Sequence, residues 1–436
     1  MSIGGISVAS RSLSTRPGGL PLRGLTFLAT SVALAACGGR DGTWAPDRFL
    51  DRDGVQVLYR LGGVEGSGPA VGGGAMTAFD SSGRLHVLDG ANHRTLVFDR
   101  TGNLEWEYGR EGRGPGEFSY PTGFGLTAEG AQVVADLANR TLIRISAEGA
   151  LEGTSRLADE VGFPAGHLIA LDGEVLALPD PDVYSTAAPD DTLAWRIRTY
   201  DLEEPAARTW LEVWRAPEPE GTGEPLTLGG RTMSVRVAGL THLRSFWPRP
   251  RFARTGESIA VFDSTTYRIR LYDATGDPFG RLERAIAPVA VTGALRDAER
   301  SRRLAAIDAG EGPRFQISGS DGSFQGVDQA MVDDFVREQI EIMTFWPEVP
   351  ALYEMVGSPD GLLWVQRNGR EGRPDLIDVF DTDRGYLGTL PAGSALPVAL
   401  GPDGLAAYVE VGPLGVIAIR VESWSGPAGS DPEAAS

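Results

Sequence analysis

Few histidine or cysteine side chains are available to form a catalytic metal site. The chain has four histidines and one cysteine, and all 40 of its basic residues are arginines. Asp80, His167 and Glu354 are the candidate metal ligands, but they are far apart in sequence and no pairing motif joins them. A catalytic divalent ion normally needs three protein ligands held together. We therefore predict no cofactor, and we assign no catalytic residue; a G-x-S-x-G motif is absent as well.

Two tryptophans are the first candidate ligand-binding residues. Trp247 and Trp346 each lie in a Phe-Trp-Pro tripeptide that leads into a segment with a strand pattern. Exposed indoles can stack on sugars or other flat ligands, because the ring faces are apolar and carry partial negative charge. The commoner role of such aromatics is that of a wedge in a packed core. Both roles remain open at this point.

Arginines in three loop segments are the second set of candidates. On a chain with a formal net charge of −19, a local group of guanidinium ions would attract a carboxylate, phosphate or sulfate. Neighbouring glutamates such as Glu117 offer the alternative of a neutralised, solvated rim. The candidates are Arg110 and Arg113 in GREGRGPG, Arg244, Arg249 and Arg251 around the first Phe-Trp-Pro, and Arg367 in RNGREGRP.

A repeated pattern shows which elements must position these side chains. DGANHRTLVFDRTG begins at Asp89, and DLANRTLIRISAEG begins at Asp136, 47 residues later. Each copy reads as short alternating strands separated by Gly, Asn and Asp, which is the strand-and-turn pattern. We expect the polar repeat positions to bond loop backbone or form turns. These positions are Asp89, Asn92, Asp99, Asp136, Asn139, Asp273 and Asp381.

Six copies of a glycine turn followed by an apolar strand can be found along the chain. A four-stranded sheet has two faces and two edges to cover, and radial stacking covers the faces and protects the edges. The sequence therefore predicts an all-β fold, a six-bladed β-propeller with four-stranded antiparallel blades. The last copy is one strand short, so we expect Gly54–Gly63 to complete it and close the ring. The turn glycines are Gly83, Gly130, Gly173, Gly256, Gly361 and Gly404.

The segments GRLHVLDGANHRTLVFDRTG and REGRGPGEFSYPTGFGL resemble NHL-type repeats and the six-bladed β-propeller lipoproteins of bacteria. Asn92, His93 and Arg94 fall where that family has Asn-His-Leu, with Arg in place of Leu. The resemblance is strongest over residues 76–151. It implies the propeller fold, but functions in the family are diverse.

The extra residues are unevenly distributed. Long segments separate strands within blade 3, between blades 3 and 4, and between blades 4 and 5. All are connections that emerge on one face of a propeller, and loops longer than ~15 residues usually carry function or are disordered. Within the longest, DQAMVDDFVREQIEIM and ALRDAERSRRLAAID have helical spacing. We expect a helical cap on that face.

The N-terminus has the pattern of an export signal. Three arginines precede an apolar run that is too short to span a bilayer, where ~20 residues are needed. The run ends in LAAC, which resembles the lipobox of bacterial lipoproteins, so Cys37 is the predicted lipidation site. We expect an exported, lipid-anchored protein, at the outer membrane or the periplasmic face of the envelope. The predicted segments are a signal peptide (1–36), a tether (37–52), the propeller (53–423, with the cap at 286–346) and a disordered tail (424–436).

The negative charge argues against a nucleic-acid partner, because phosphate backbones repel acidic proteins. After Cys37 no apolar run reaches spanning length, so we predict no transmembrane helix in the mature chain. The favoured function is binding of a protein or carbohydrate partner through the face that carries the insertions. The alternative is a metal-dependent enzyme that resembles the lactonase-like or lyase-like six-bladed propellers.

Overall fold

The computed structural model describes most of the chain between residues 46 and 424. The described residues are 6–9, 46–63, 66, 68–158, 162–179, 194–204, 206–215, 226–228, 231–233, 243–318, 324–326, 328–369, 375–412 and 415–424. The chain divides into two compact units, one of residues 45–296 with 342–436, the other of residues 1–44 with 297–341. Among the described residues, no helix combines the length and the apolar character needed to cross a membrane.

The larger unit is a six-bladed β-propeller whose blades are four-stranded antiparallel sheets. The four strands of each blade are lettered A to D from the innermost outward. Blades 1 to 3 contain β3 (Met76–Phe79), β4 (Leu85–Asp89), β5 (Arg94–Phe98) and β6 (Leu104–Tyr108); β7 (Pro121–Leu126), β8 (Gln132–Asp136), β9 (Thr141–Ile145) and β10 (Leu151–Arg156); β12 (Ile169–Ala170), β13 (Glu174–Ala177), β14 (Ala194–Asp201) and β15 (Ala207–Arg215). Blades 4 to 6 contain β19 (Arg251–Thr255), β20 (Ser258–Phe262), β21 (Arg268–Tyr272) and β22 (Pro278–Glu283); β28 (Leu352–Gly357), β29 (Leu362–Arg367), β30 (Ile377–Asp381) and β31 (Gly385–Thr389); β32 (Ala399–Leu400), β33 (Leu405–Val411), β34 (Ile417–Ser423) and β2 (Gln56–Gly62).

Short strands lie in the connections of the same unit. They are β11 (Gly166–His167), which pairs with β7, the pair β16 (Leu226–Leu228) and β17 (Arg231–Met233), the pair β18 (Arg244–Ser245) and β26 (Thr344–Phe345), and the pair β23 (Val289–Ala290) and β27 (Glu348–Val349).

Each seam between neighbouring blades has its own apolar core. The six clusters of buried side chains correspond to the six seams of the ring. Second strands are covered on both faces by the adjacent blades, so all five residues of β4, β8 and β20 are buried. Fourth strands lie at the rim, and β6 and β22 are largely exposed. This distribution explains why the second strands are mainly apolar.

The N-terminal strand closes the ring, as the sequence predicts. Strand β2 pairs antiparallel with β34, from Gln56 opposite Ser423 to Gly62 opposite Ala418. Leu61 of this strand is fully buried, in the core between blades 6 and 1. Blade 6 is therefore built from both ends of the propeller sequence.

The repeat is visible in the backbone as well as in the sequence. His93 and Arg140, which are 47 residues apart, have φ of 55° and 52°, in the left-handed region. Asp89 Oδ1 accepts the N–H of Gly72, and Asp136 Oδ2 accepts the N–H of Tyr120, so each carboxylate fixes the connection that leads into its own blade. Asp99, Asp273 and Asp381 each accept backbone N–H groups two residues or more ahead, as turn residues do. The predicted structural roles of these aspartates are confirmed.

Residues 46–52, assigned to the tether from the sequence, lie against blade 5. Leu50 N–H donates to Thr389 O at 2.8 Å, and Thr389 N–H donates to Arg48 O at 2.8 Å. Leu50 is buried among the apolar side chains between blades 5 and 6. This N-terminal segment is therefore part of the propeller, and residues 37–45 lie outside the described part of the chain.

The strand order shows where the long connections emerge. In an antiparallel blade, the B–C and D–A connections emerge on one face and the A–B and C–D hairpins on the other. The three long connections join β13 to β14, β15 to β19 and β22 to β28, and each is of the first kind. We call this side the insertion face. The predicted loop at residues 179–191 lies almost wholly outside the described residues.

The smaller unit contains the two predicted helices. They are α1 (Gly293–Asp308), whose first turn belongs to the larger unit, and α2 (Gln329–Glu341). In α2, Val332, Val336 and Ile340 are buried at the predicted spacing of four. Arg337 and Asp308 form an ion pair of 2.7 Å between the helices. The unit also contains a three-stranded sheet of β1 (Ile6–Ala9), β24 (Arg314–Ser318) and β25 (Phe324–Gly326), in which β1 comes from the segment predicted to be a signal peptide.

Candidate functional site

The two Phe-Trp-Pro segments lie side by side on the insertion face. Strands β18 and β26 run parallel, with Arg244 opposite Thr344 and Ser245 opposite Phe345. Trp346 N–H donates to Ser245 O at 3.0 Å and extends the pairing by one residue. The connections that follow blade 3 and blade 4 are therefore joined to each other at their ends. Each then enters the first strand of its blade.

This pairing brings three indoles together. The ring centroids of Trp247 and Trp346 are 5.2 Å apart, and Trp214 lies 6.1 Å from the first and 5.8 Å from the second. The interplanar angles of 59°, 80° and 78° describe three rings that are steeply inclined to each other. All three side chains are partly exposed. The cluster is thus neither a buried core wedge nor a set of isolated surface rings.

One arginine contacts this cluster, and two more follow Trp247 closely in sequence. The guanidinium carbon of Arg244 lies 4.8 Å from the ring centroid of Trp247, which is a cation–π distance. Arg249 is exposed and has no ion pair within the described part of the chain. Arg251 Nε donates to Glu354 Oε2 at 3.0 Å and to Tyr353 O at 3.2 Å, across the first strands of blades 4 and 5. We call the group Trp214, Trp247, Trp346, Arg244, Arg249 and Arg251 the Trp–Arg patch.

The other predicted arginines lie elsewhere. Arg367 is the last residue of β29 and is largely buried; it contacts Asp378 Oδ1 at 2.6 Å and Asp47 Oδ1 at 2.6 Å. Arg110 is exposed and pairs with Glu117 at 2.7 Å, where backbone N–H of Gly114 and the guanidinium of Arg110 lower the pKa of the Glu117 carboxyl. Arg113 is exposed on the same loop. Arg367 therefore stabilises the propeller. The Arg110 loop is a solvated segment in which Glu117 neutralises Arg110, which is the alternative to anion binding given above.

The three candidate metal ligands are not brought together. Asp80 follows β3 in the A–B hairpin and is buried; it accepts hydrogen bonds from Ser82, Arg84 and His86. Glu354 is paired with Arg251. Within the described ranges, no group of three or more His, Cys, Asp or Glu side chains has a geometry for holding a metal ion.

His167 has an unusual environment for an exposed side chain. It lies in β11, which pairs with β7 of blade 2 and precedes β12 of blade 3, and its side chain is exposed. The surrounding protein nevertheless lowers its pKa by desolvation. The lowered pKa keeps the imidazole neutral at pH 7.

Two features of this region are not evident from the sequence. Trp214 lies in the fourth strand of blade 3, and its only sequence signal is its position one residue before a long connection begins. One partner of Arg367 is also distant, since Asp47 lies 320 residues away in the N-terminal segment. Both contacts join separate segments of the chain.

Comparison with protein families supports the propeller fold. A family model described as a 6-bladed beta-propeller matches residues 77–188. No curated relative matches the chain in sequence. Among solved structures, virginiamycin B lyase from Staphylococcus aureus is 10% identical with a TM-score of 0.35, over 85% of this chain and 98% of the lyase.

Two further structures are similar to the same degree. A gluconolactonase from Xanthomonas campestris is 12% identical with a TM-score of 0.37, over 87% of this chain and 96% of the lactonase. Regucalcin, a calcium-binding protein from Agrobacterium tumefaciens, is 12% identical with a TM-score of 0.33, over 88% of this chain and 96% of regucalcin. At these values the similarity carries no conclusion about activity.

Proposed function

We propose that this protein is a binding module that recognises a protein or glycan partner through its insertion face. The observation that carries the proposal is the convergence of Trp214, Trp247 and Trp346, which come from three separate segments. Large indoles that remain partly exposed in a cluster are typical of binding surfaces, where tryptophan and arginine contribute most of the affinity.

The position of the cluster supports the same proposal. Trp214 is the last residue but one of blade 3, and the other two indoles lie at the ends of the two longest connections. Rigid scaffolds usually carry their binding residues on such connections. The opposite face has short hairpins whose aspartates bond their own turns, as Asp99 does with Thr101 and Asn103.

A capture experiment with the full chain tests the proposal. The immobilised protein is incubated with an envelope extract, and the bound proteins and glycans are identified. Trp247→Ala should lose the partner that the wild type captures, whereas Trp210→Ala should retain it. Trp210 is a matched control, because it lies in the same strand as Trp214, is also partly exposed, and bonds the C–D turn of blade 4 through Ala274 O.

Retention of every partner by Trp247→Ala, with unchanged thermal unfolding, would contradict the proposal. The enzyme alternative makes a different prediction, a stoichiometric divalent ion in the purified protein. Elemental analysis of the purified full chain separates the two functions.

Export and lipidation belong to this proposal. We propose that the chain is cut before Cys37 and acylated on its sulfur, which would hold the propeller at an envelope membrane as a bacterial NHL-type lipoprotein. The sequence around Cys37, LAACGG, supports it. The N-terminal segment from residue 46 is fixed on blade 5, so the link between anchor and propeller would be short.

A further inference from the structure

We infer that the ligand of the Trp–Arg patch is an acidic glycan, a chain of sugars that carry carboxylate groups. This inference rests on the proposed function and specifies the class of the partner. It follows from two properties of the patch, its aromatic surface and its local positive charge.

The aromatic surface suits sugars. Three partly exposed indoles, with centroids between 5.2 and 6.1 Å apart, offer ring faces and edges in several directions. A pyranose presents C–H groups with partial positive charge on one side, and these pack against the negative face of an indole. The Nε1–H of Trp247 is buried and has no hydrogen-bond partner among the described residues. A sugar hydroxyl that displaces the indole slightly would supply the missing acceptor.

The charge distinguishes an acidic from a neutral glycan. The protein has a formal net charge of −19, yet Arg244, Arg249 and Arg251 lie within eight positions of each other in the segment that contains Trp247. Of these, Arg251 forms an ion pair with Glu354, and Arg249 is exposed without an ion pair in the described ranges. The planar guanidinium group has a donor geometry that matches a carboxylate, so Arg249 is the expected contact.

The spacing of these residues favours an oligosaccharide. Trp247 is followed by Pro248, Arg249, Pro250 and Arg251. A proline fixes its own φ and keeps the residue before it extended. At about 3.1 Å per residue for such a segment, Arg251 lies roughly 12 Å from Trp247. The patch is therefore long enough to contact successive sugars, with stacking at one end and carboxylate contacts along the segment.

The size of the patch argues against a protein as its main ligand. A stable protein interface buries about 800 Å² on each partner around an apolar centre. In the described segments that carry the patch, 243–251 and 342–353, the exposed large apolar side chains are Ile342 and Tyr353 alone. A compact aromatic group with a cationic border matches a narrow polar chain better.

Calorimetric titration of the full chain with defined oligosaccharides tests the inference. The probes are hexagalacturonate, which carries one carboxylate per sugar, and cellohexaose, which carries none. We expect hexagalacturonate to bind at least about tenfold more tightly, since charge-assisted hydrogen bonds contribute most of that difference. Its affinity should fall as salt rises from 50 to 500 mM, because exposed charges are screened.

Matched variants locate the binding. Arg249→Gln should weaken hexagalacturonate binding about fivefold to tenfold. Trp247→Ala should weaken it by more than about tenfold and should reduce the change in tryptophan fluorescence that accompanies binding. Arg281→Gln and Trp210→Ala should have no effect. Arg281 is an exposed arginine on the outer strand of blade 4, paired with Glu283.

Three outcomes would overturn the inference: equal binding of the two hexasaccharides, no binding of either, or an effect of Trp210→Ala as large as that of Trp247→Ala. If neither hexasaccharide binds but Trp247→Ala still loses a protein from the envelope extract, the proposed function stands and the ligand is a protein. If the variant loses nothing in either experiment, both proposals fail.

Discussion

Replacing Asp378 with asparagine should strongly destabilise the propeller. Asp378 is completely buried in β30 of blade 5. Its Oδ2 accepts hydrogen bonds from Tyr267 at 2.6 Å and Arg367 at 2.9 Å, and its Oδ1 accepts from Arg367, Thr389 and Arg284 at 2.6, 2.6 and 2.9 Å. Asparagine would replace one of the two carboxylate oxygens with an amide nitrogen. That nitrogen is itself a donor, and it would lie opposite the groups that now donate to the oxygen. The change also removes the charge that balances two buried guanidinium groups.

The size of the effect follows from burial. Removing one partner of a buried ion pair costs about 3–5 kcal/mol, because the remaining charge is left without a counter-ion. Asp47 remains close to both arginines, so its carboxylate offsets part of this loss. Burial acts to raise the pKa of Asp47, but the hydrogen bonds from Arg367 and Arg284 outweigh burial and lower the pKa, which keeps the carboxylate charged. We therefore expect a loss near the lower end of that range, about 3 kcal/mol.

Urea denaturation followed by tryptophan fluorescence measures this loss. With a denaturant slope of about 3 kcal/mol per molar, the unfolding midpoint should fall by roughly 1 M. The control is Asp381→Asn, on the same strand, where the carboxylate forms a turn and pairs with Arg384 at 2.7 Å. Asparagine can keep the turn bonds, so its cost should stay below about 1 kcal/mol. Equal midpoints for the two variants would show that the Asp378 network is not buried in solution.

Three further predictions concern pH, ring closure and anchoring. Desolvation lowers the pKa of His86 although Asp80 accepts its hydrogen bond, so the imidazole is neutral in the folded protein. The stability that this site contributes to the protein should be fully present above the unfolded pKa of about 6.5 and should decline as the pH falls below it. Urea midpoints between pH 7.5 and 5 should fall less steeply in His86→Gln, and an identical slope would exclude this cause. Leu61→Ala, at a fully buried site in β2, should cost about 2–5 kcal/mol in urea unfolding, against a few tenths for Leu58→Ala, which is 42% exposed on the same strand. Cys37→Ser should move the protein from the membrane fraction to the soluble fraction on immunoblots and abolish incorporation of labelled palmitate; unchanged fractionation would reject lipid anchoring.

The propeller could be predicted because its signals are local. Each blade contains turns with Gly83 or its equivalents, and each second strand has a mainly apolar centre because neighbouring blades cover both of its faces. Ring closure by β2 could be predicted for the same reason, since blade 6 lacks a fourth strand without it. None of these inferences requires knowledge of which residues meet across the ring.

The candidate site could be predicted only in part, because its contacts join distant segments. The repeated Phe-Trp-Pro indicated that Trp247 and Trp346 have similar settings, but not that the segments pair in parallel or that Trp214 completes the cluster. Arg367 looked like a loop arginine in RNGREGRP. It is the last residue of a strand, and its side chain points to Asp378 on the adjacent strand and to Asp47.

The structure also explains why the two longest connections should act as one element. Each blade seam has an independent apolar core, so the scaffold does not require either connection to close the ring. By contrast, β18 has β26 as its partner, and Trp346 N–H depends on Ser245 O. Shortening either connection removes the pairing edge of the other and separates the indoles. Shortening either connection would therefore abolish a binding function at the indole cluster, while the propeller itself would remain folded.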